Sequence, residues 1–172
     1  MDVFSRMIVG WQVYAEESGA QASEVLKDLC AREAIQPDQV ILHSDNWPDE
    51  GCHELATLQA LGVMPSLSRP GVSNDNPYSE SLFKTLNYRP AYPLKPFDTL
   101  RAARGWVTEL VRWYNHEHRH SAIRFVTPAQ RHRNLDQDIL DRRATLYERP
   151  DKIIRCVGKA KRATGSALMS SI

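Results

Sequence analysis

A short run of three apolar residues, Val40-Ile41-Leu42, constrains the fold of this chain more than any other feature. A continuous apolar run of this length is typical of a strand that is covered on both faces in a parallel sheet. Helical patterns flank the run, from Ser18 to about Ala34 and over residues 50–61, and a second strand-like run follows Gly62 at 63–67. Strands that alternate with helices in this way predict an α/β fold.

The remaining sequence adds one early strand and four helices. Apolar residues alternate along 7–14 and predict a strand, which follows a turn at Ser5-Arg6. The other patterns predict helices, one over 77–88 with Leu82, Phe83 and Leu86 inside, one capped by Asp98 with an apolar stripe over 103–114, one from Thr127-Pro128 to Arg133, and one over 135–148.

The length and composition predict one folded domain with a tail. The chain has 172 residues, of which 42% are hydrophobic and 25% charged, as in ordinary globular proteins. We expect a core domain over residues 1–149 and a basic, mobile tail over 150–172. The sequence has neither a membrane-length apolar segment nor an N-terminal export signal, so we expect a cytoplasmic protein with three reduced cysteines.

The net charge of +1 conceals an uneven distribution of charge along the chain. Residues 1–68 hold three Lys/Arg against eleven Asp/Glu, whereas residues 69–172 hold nineteen against ten. A basic second half indicates an anionic partner, of which nucleic acid is the commonest. Attraction between the two halves of the chain explains the same asymmetry equally well.

Two carboxylates stand where a metal site is expected. Asp45 follows the first apolar run, and ligand sites in open α/β sheets form at the carboxyl ends of the strands. Glu80 lies near the start of the helix predicted over 77–88, with Lys84 one turn later. Mg²⁺ and Mn²⁺ are often held by only one or two carboxylates together with water and substrate phosphate. The alternative is that Asp45 caps the next helix and that Glu80 is an ordinary surface residue.

Two other groups of side chains have a functional and a structural interpretation. His116, His118 and His120 alternate, as metal ligands can, but no Cys or carboxylate set completes a zinc site, which favours a polar helix end. The aromatic residues Trp106, Trp113 and Tyr114 could stack on bases, but their helical spacing favours core or interface positions.

Several motifs together resemble the integrase core of bacterial insertion-sequence transposases, over about residues 1–147. The matching stretches are Asp2-Val3-Phe4-Ser5-Arg6, Ile8-Val9-Gly10-Trp11, His43-Ser44-Asp45-Asn46, residues 68–80, Trp113-Tyr114-Asn115, His120-Ser121 and Thr127-Pro128-Ala129-Gln130.

The resemblance implies a ribonuclease H-like fold and an Asp-Asp-Glu triad that binds two Mg²⁺, with Mn²⁺ as a possible substitute. Asp45 resembles the second acid and Glu80 the third. The first acid belongs to a strand that would precede Asp2, and Asp2 itself matches a non-catalytic position. The resemblance thus implies a core that is incomplete at its N-terminal strand and ends in C-terminal helices. The residues expected to contact DNA are Asn46, Arg69, Asn76, Lys84 and Asn87.

Three functional hypotheses follow. The first is a transposase core fragment that acts on element ends and target DNA, but is inactive alone because one catalytic acid is missing. The second is a non-enzymatic fragment that binds DNA, or forms oligomers with itself or an intact transposase, and so regulates transposition. The third, a metal-dependent nuclease, requires a third acid beside Asp45 and Glu80, for which the sequence offers no strong candidate.

Overall fold

A computed structural model describes residues 1–16, 18–44, 52–69, 75–89 and 92–148, with only the backbone at 52–54. The helices in these ranges are α1 (Gly19–Arg32), α2 (Cys52–Leu61), α3 (Pro77–Asn87), α4 (Leu100–His116), α5 (Pro128–His132) and α6 (Asp136–Tyr147). The same ranges contain two strands, β1 (Ile41–Ser44) and β2 (Met64–Leu67), and a 3₁₀ turn at Ser121–Ile123. The predicted alternation of helices and strands is confirmed from α1 to β2.

The two strands form a parallel pair. Ile41 lies opposite Met64 and Ser44 lies opposite Leu67, so both strands run in register to the same edge. A parallel connection needs a crossover, and α2 provides it between β1 and β2. The fold of the described residues is therefore mixed α/β, with a small sheet and a larger number of helices.

A small apolar core lies between the sheet and the first two helices. Cys30 of α1, Leu58 of α2 and Val63 beside β2 are buried, and Leu58 is only 1% exposed. Partly buried apolar side chains pack around these three: Leu26, Ile35, Val40, Leu42 and Leu61. Cys30 is a free thiol, as the sequence predicted, and burial raises its pKa. This core holds β1 and β2 against α1 and α2.

The prediction that β1 is covered on both faces was wrong for the described structure. Ile41 is 66% exposed, and Met64 and Leu67 on β2 are 57% and 53% exposed. Side chains alternate between the faces of a strand, so Leu42 points into the core while Ile41 points away from it. The apolar run that predicted a two-sided strand is buried on one side by the helices described here.

The strand predicted over 7–14 is absent. Side chains of α4 form hydrogen bonds to the backbone of this segment, as a neighbouring strand would. The Asn115 amide accepts a hydrogen bond from the Ile8 N–H (2.9 Å) and donates one to the Ile8 carbonyl (3.0 Å). Arg104 Nε donates to the Val13 carbonyl over 3.0 Å. A strand is defined by a ladder to another backbone, and in this segment side chains bind the backbone of Ile8 and Val13 instead.

The turn before this segment is confirmed. The Asp2 N–H donates to the Met7 carbonyl and the Arg6 N–H donates to the Asp2 carbonyl, both over 2.8 Å. The Asp2 carboxylate also accepts hydrogen bonds from Ser5, whose side chain is fully buried, and lies 3.2 Å from His132 Nδ1 on α5. Burial alone would raise the pKa of Asp2, but these hydrogen bonds together lower it. Asp2 thus joins the turn to α5.

Three details of the predicted helices differ from the structure. The cap of α4 is Thr99, whose hydroxyl accepts from the Ala102 N–H (3.1 Å), and not Asp98. Phe83 was expected on the inner side of α3 but is 61% exposed. α1 ends at Arg32, before the predicted Ala34, because Ala34 takes a left-handed conformation (φ 51°) and closes the helix end. The Thr127 cap of α5 is confirmed, with Gln130 completing a capping box.

Candidate active site

The carboxyl ends of the two strands lie at the same edge of the sheet, immediately before the position of Asp45 in the sequence. β1 ends at Ser44, opposite Leu67 at the end of β2. Asp45 is the next residue along the chain, and it lies with Asn46 outside the described residues. Its metal-binding role therefore stays a prediction, but the parallel strand that precedes it is present and ends at the expected residue.

The other predicted metal-binding acid, Glu80, lies in the first turn of α3. Asn76 caps this helix by accepting a hydrogen bond from the Ser79 N–H (3.2 Å), and Pro77 occupies the first helical position. Glu80 is exposed, and in the described part of the chain its carboxylate has no hydrogen bond or ion pair. Its oxygen atoms are therefore available to a ligand. The side chain of Asn76, which was predicted to contact DNA, here serves as the helix cap.

Lys84 and Asn87 extend the polar face of α3. Lys84 lies one turn after Glu80 and Asn87 is the last residue of the helix, and both are exposed. Residues separated by three or four positions are neighbours on a helix surface, so these side chains continue the line that begins at Glu80. The structure thus brings three of the predicted site residues onto one accessible strip.

A cavity of about 360 Å³ lies between β1 and the start of α3. Its lining comes from β1, the first turn of α3 and the N-terminal turn: Ile41, Leu42, His43, Asp75, Asn76, Tyr78, Ser79, Met1 and Val3. The strand that leads to Asp45 and the helix turn that carries Glu80 therefore border the same space.

His43 ties the ends of the two strands together. Its Nδ1 is 3.0 Å from Ser66 Oγ and its Nε2 is 3.2 Å from Ser68 Oγ. His43 and Ser66 are directly opposite each other in the parallel register, which explains the first contact. His43 belongs to one of the motifs, but no role was predicted for it. The sequence feature that could have indicated a role for His43 is its place in the predicted strand, two residues before Asp45.

Arg69, a predicted DNA contact, is held by an acid that sequence reasoning did not single out. Its Nε and Nη2 donate to the two oxygens of Asp75 over 3.0 and 2.9 Å, and its backbone N–H donates to Oδ2 over 2.8 Å. These hydrogen bonds lower the pKa of Asp75 to about 2, so the carboxylate is ionised at neutral pH. The guanidinium of Arg69 is engaged in this structure.

The histidines beyond α4 belong to an aromatic cluster. The His118 ring stacks on Tyr114 with centroids 5.4 Å apart, and His120 Nδ1 accepts a hydrogen bond from the Ala122 N–H. Burial lowers the pKa of both histidines, and the neighbouring His118 and Arg6 lower that of His120 further. Within the ranges that the structure covers, no three His, Cys, Asp or Glu residues form a metal cluster. Tyr114 is fully buried, which confirms its predicted core position.

Comparison with known proteins identifies the class to which this fold and site correspond. Residues 61–128, which include β2, α3 and Glu80, match the family model of the integrase core domain. This stretch of the chain is therefore similar to an integrase core domain, as the motifs predicted.

A curated relative specifies the kind of integrase core. Over 130 residues, the chain is 30% identical to the transposase for insertion sequence element IS904 of Lactococcus lactis subsp. lactis strain IL1403. The match covers 74% of this chain but 51% of the relative, so the chain spans about half the length of the protein it resembles. The predicted resemblance to insertion-sequence transposases is confirmed. In the part of the chain that the structure describes, no helix is suited in length and apolarity to crossing a membrane.

Proposed function

We propose that this chain is part of the catalytic core of a DNA transposase, with a ribonuclease H-like fold over residues 1–149 and a basic tail over 150–172. The observation that carries the proposal is the integrase core match over residues 61–128, which contains Glu80. The cavity between β1 and α3 supports it, because its lining includes residues of the strand that precedes Asp45 in the sequence and of the helix turn that contains Glu80. DNA transposition is also the activity named for the curated relative.

The acids fit a hard divalent cation. The Glu80 carboxylate is exposed and unpaired in the described structure, and Asp45 follows a parallel strand at the edge where ligands bind. Carboxylate oxygens are the ligands that Mg²⁺ and Mn²⁺ prefer. When bound, such an ion polarises a phosphodiester and stabilises the leaving oxygen. Asp45 and Glu80 hold the cation, and Lys84 on the same strip as Glu80 attracts the DNA phosphates.

The metal assignment predicts a specific loss of Mn²⁺ binding. Asp45→Asn or Glu80→Gln should weaken Mn²⁺ binding about tenfold or more, because each removes one of two charged ligands. Isothermal titration with MnCl₂ measures the change. Glu148→Gln is the matched control, since Glu148 is an exposed acid at the end of α6 with the same change in charge. Equal affinities in all four proteins would refute the assignment.

We also propose that the 172 residues alone do not join DNA ends. The family motifs supply two of the three acids of the triad, and the Asp2 carboxylate is engaged by Ser5 and His132. Incubation with labelled element-end DNA and Mg²⁺ or Mn²⁺ should yield no more joined product than Asp45→Asn yields. Efficient joining that Asp45→Asn abolishes would show that the chain is a complete enzyme.

The second candidate is a non-enzymatic regulator of an intact transposase. The basic charge of residues 69–172 favours this role, because phosphate neutralisation by Lys and Arg supports DNA binding without chemistry. This candidate predicts salt-sensitive DNA binding, or association with itself or an intact transposase, that Asp45→Asn leaves unchanged. The metal-dependent candidate predicts that the same substitution reduces the Mg²⁺-dependent part of DNA binding.

A further inference from the structure

Three donors of Arg69 converge on one carboxylate. The backbone N–H, Nε and Nη2 of Arg69 all reach Asp75 at 2.8–3.0 Å, and the guanidinium contacts both carboxylate oxygens. A guanidinium edge with an adjacent amide N–H also suits two oxygens of a phosphate group. The set of donors is therefore an anion site, and Asp75 fills it.

The exposure of the two side chains is unequal. The Arg69 side chain is 75% exposed, whereas that of Asp75 is 18% exposed and lines the cavity beside His43. A ligand can therefore approach the guanidinium from solvent while Asp75 holds it from the protein side. A phosphate with the same acceptor geometry can replace the carboxylate at these donors, at the cost of the bidentate ion pair.

We propose that Arg69 binds a DNA phosphodiester and that Asp75 competes with the DNA for the same donors. The DNA-free chain keeps Arg69 neutralised by Asp75, and a bound phosphate takes over its hydrogen bonds. Asp75 immediately precedes Asn76, the cap of the helix that carries Glu80, so this exchange takes place beside the candidate active site. The inference rests on the proposed function in one respect, namely that the chain binds DNA.

The experiment compares two charge-matched variants. Asp75→Asn and Asp28→Asn each remove one acid that is paired with a surface arginine, but Asp28 pairs with Arg32 on α1, at 3.5 Å. The affinity for a labelled DNA duplex is measured by fluorescence anisotropy at several salt concentrations, after circular dichroism has shown that each variant is folded.

Asp75→Asn should bind DNA roughly threefold to tenfold more tightly at low salt, because no carboxylate then competes for the donors of Arg69. Its salt dependence should steepen by up to about 0.9 in log–log slope, because Arg69 then faces the DNA as one uncompensated positive charge. Asp28→Asn should leave the slope unchanged. Adding Arg69→Gln to Asp75→Asn should remove the gain, because the freed donor is then absent.

Two results would overturn the inference in different ways. If wild type binds DNA and Asp75→Asn behaves like Asp28→Asn, or binds more weakly, Asp75 does not compete with DNA and the proposed function is unaffected. If neither wild type nor any variant binds DNA at low salt, DNA binding itself fails, and the competition fails with it.

Discussion

Replacing Tyr114 by alanine should lower the free energy of unfolding by about 3–5 kcal/mol, the usual range for removing a buried aromatic side chain. Tyr114 has no exposed surface and heads the largest fully buried side chains of the described residues. It lies in the last turns of α4, stacked on His118. The substitution leaves a cavity where α4 meets the segment that follows it.

Urea denaturation followed by circular dichroism measures this change. Tyr114→Phe is the matched control, because it keeps the ring and removes only a hydroxyl that donates a hydrogen bond to Met1 Sδ at 3.9 Å. The control should cost about 1 kcal/mol or less. Similar losses for both variants would show that the hydroxyl, rather than the packing of the ring, stabilises this region.

Replacing Gly62 by alanine should cost about 2–5 kcal/mol, from a left-handed backbone and a steric clash together. Gly62 has φ +64°, and a Cβ atom there would lie 2.6 Å from Pro37 Cβ and 2.7 Å from Pro37 Cα. The clash involves backbone, so a change of rotamer cannot relieve it. The Gly62 carbonyl also accepts a hydrogen bond from the Asp38 N–H (2.7 Å), which fixes the two segments against each other.

Gly105→Ala provides a control of opposite sign. Gly105 lies inside α4, and nothing lies within 4 Å of a Cβ atom built on it. Alanine there should raise the free energy of unfolding by about 0.5–1 kcal/mol, because it restricts the unfolded chain and favours the helix. Thermal unfolding of the two variants beside wild type tests both expectations. A stabilised Gly62→Ala protein would contradict the close approach of Pro37.

Local patterns predicted the elements whose cause is local. Gly62 ends α2 because the left-handed conformation brings the Val63 N–H to the Leu58 carbonyl, and Thr127 with Gln130 forms a cap within four residues. The strand predicted over 7–14 failed because a strand depends on a neighbouring backbone, which no local pattern reports. The prediction that Ile41 is buried failed for the same reason, because its exposure depends on which distant elements cover the sheet.

The candidate site was predictable to a similar extent. Motifs predicted Glu80 at the start of a helix, and α3 places it there with an available carboxylate. They also predicted Arg69 as a DNA contact, but not its ion pair with Asp75, which is six residues away in the sequence. A spacing of six residues does not by itself bring two side chains together. The role of His43 likewise depends on the register between β1 and β2, which became known only from the fold.

The hydrogen bonds between Asn115 and Ile8 have a consequence for the order of assembly during protein synthesis. The two residues are 107 positions apart, whereas His43 and Ser66, opposite each other in the sheet, are 23 apart. At about 5–20 residues per second, Ile8 is added to the chain roughly 5–20 s before Asn115. The sheet, α1 and α2 can therefore form first. The backbone of Ile8 stays hydrogen-bonded to water until α4 has been made.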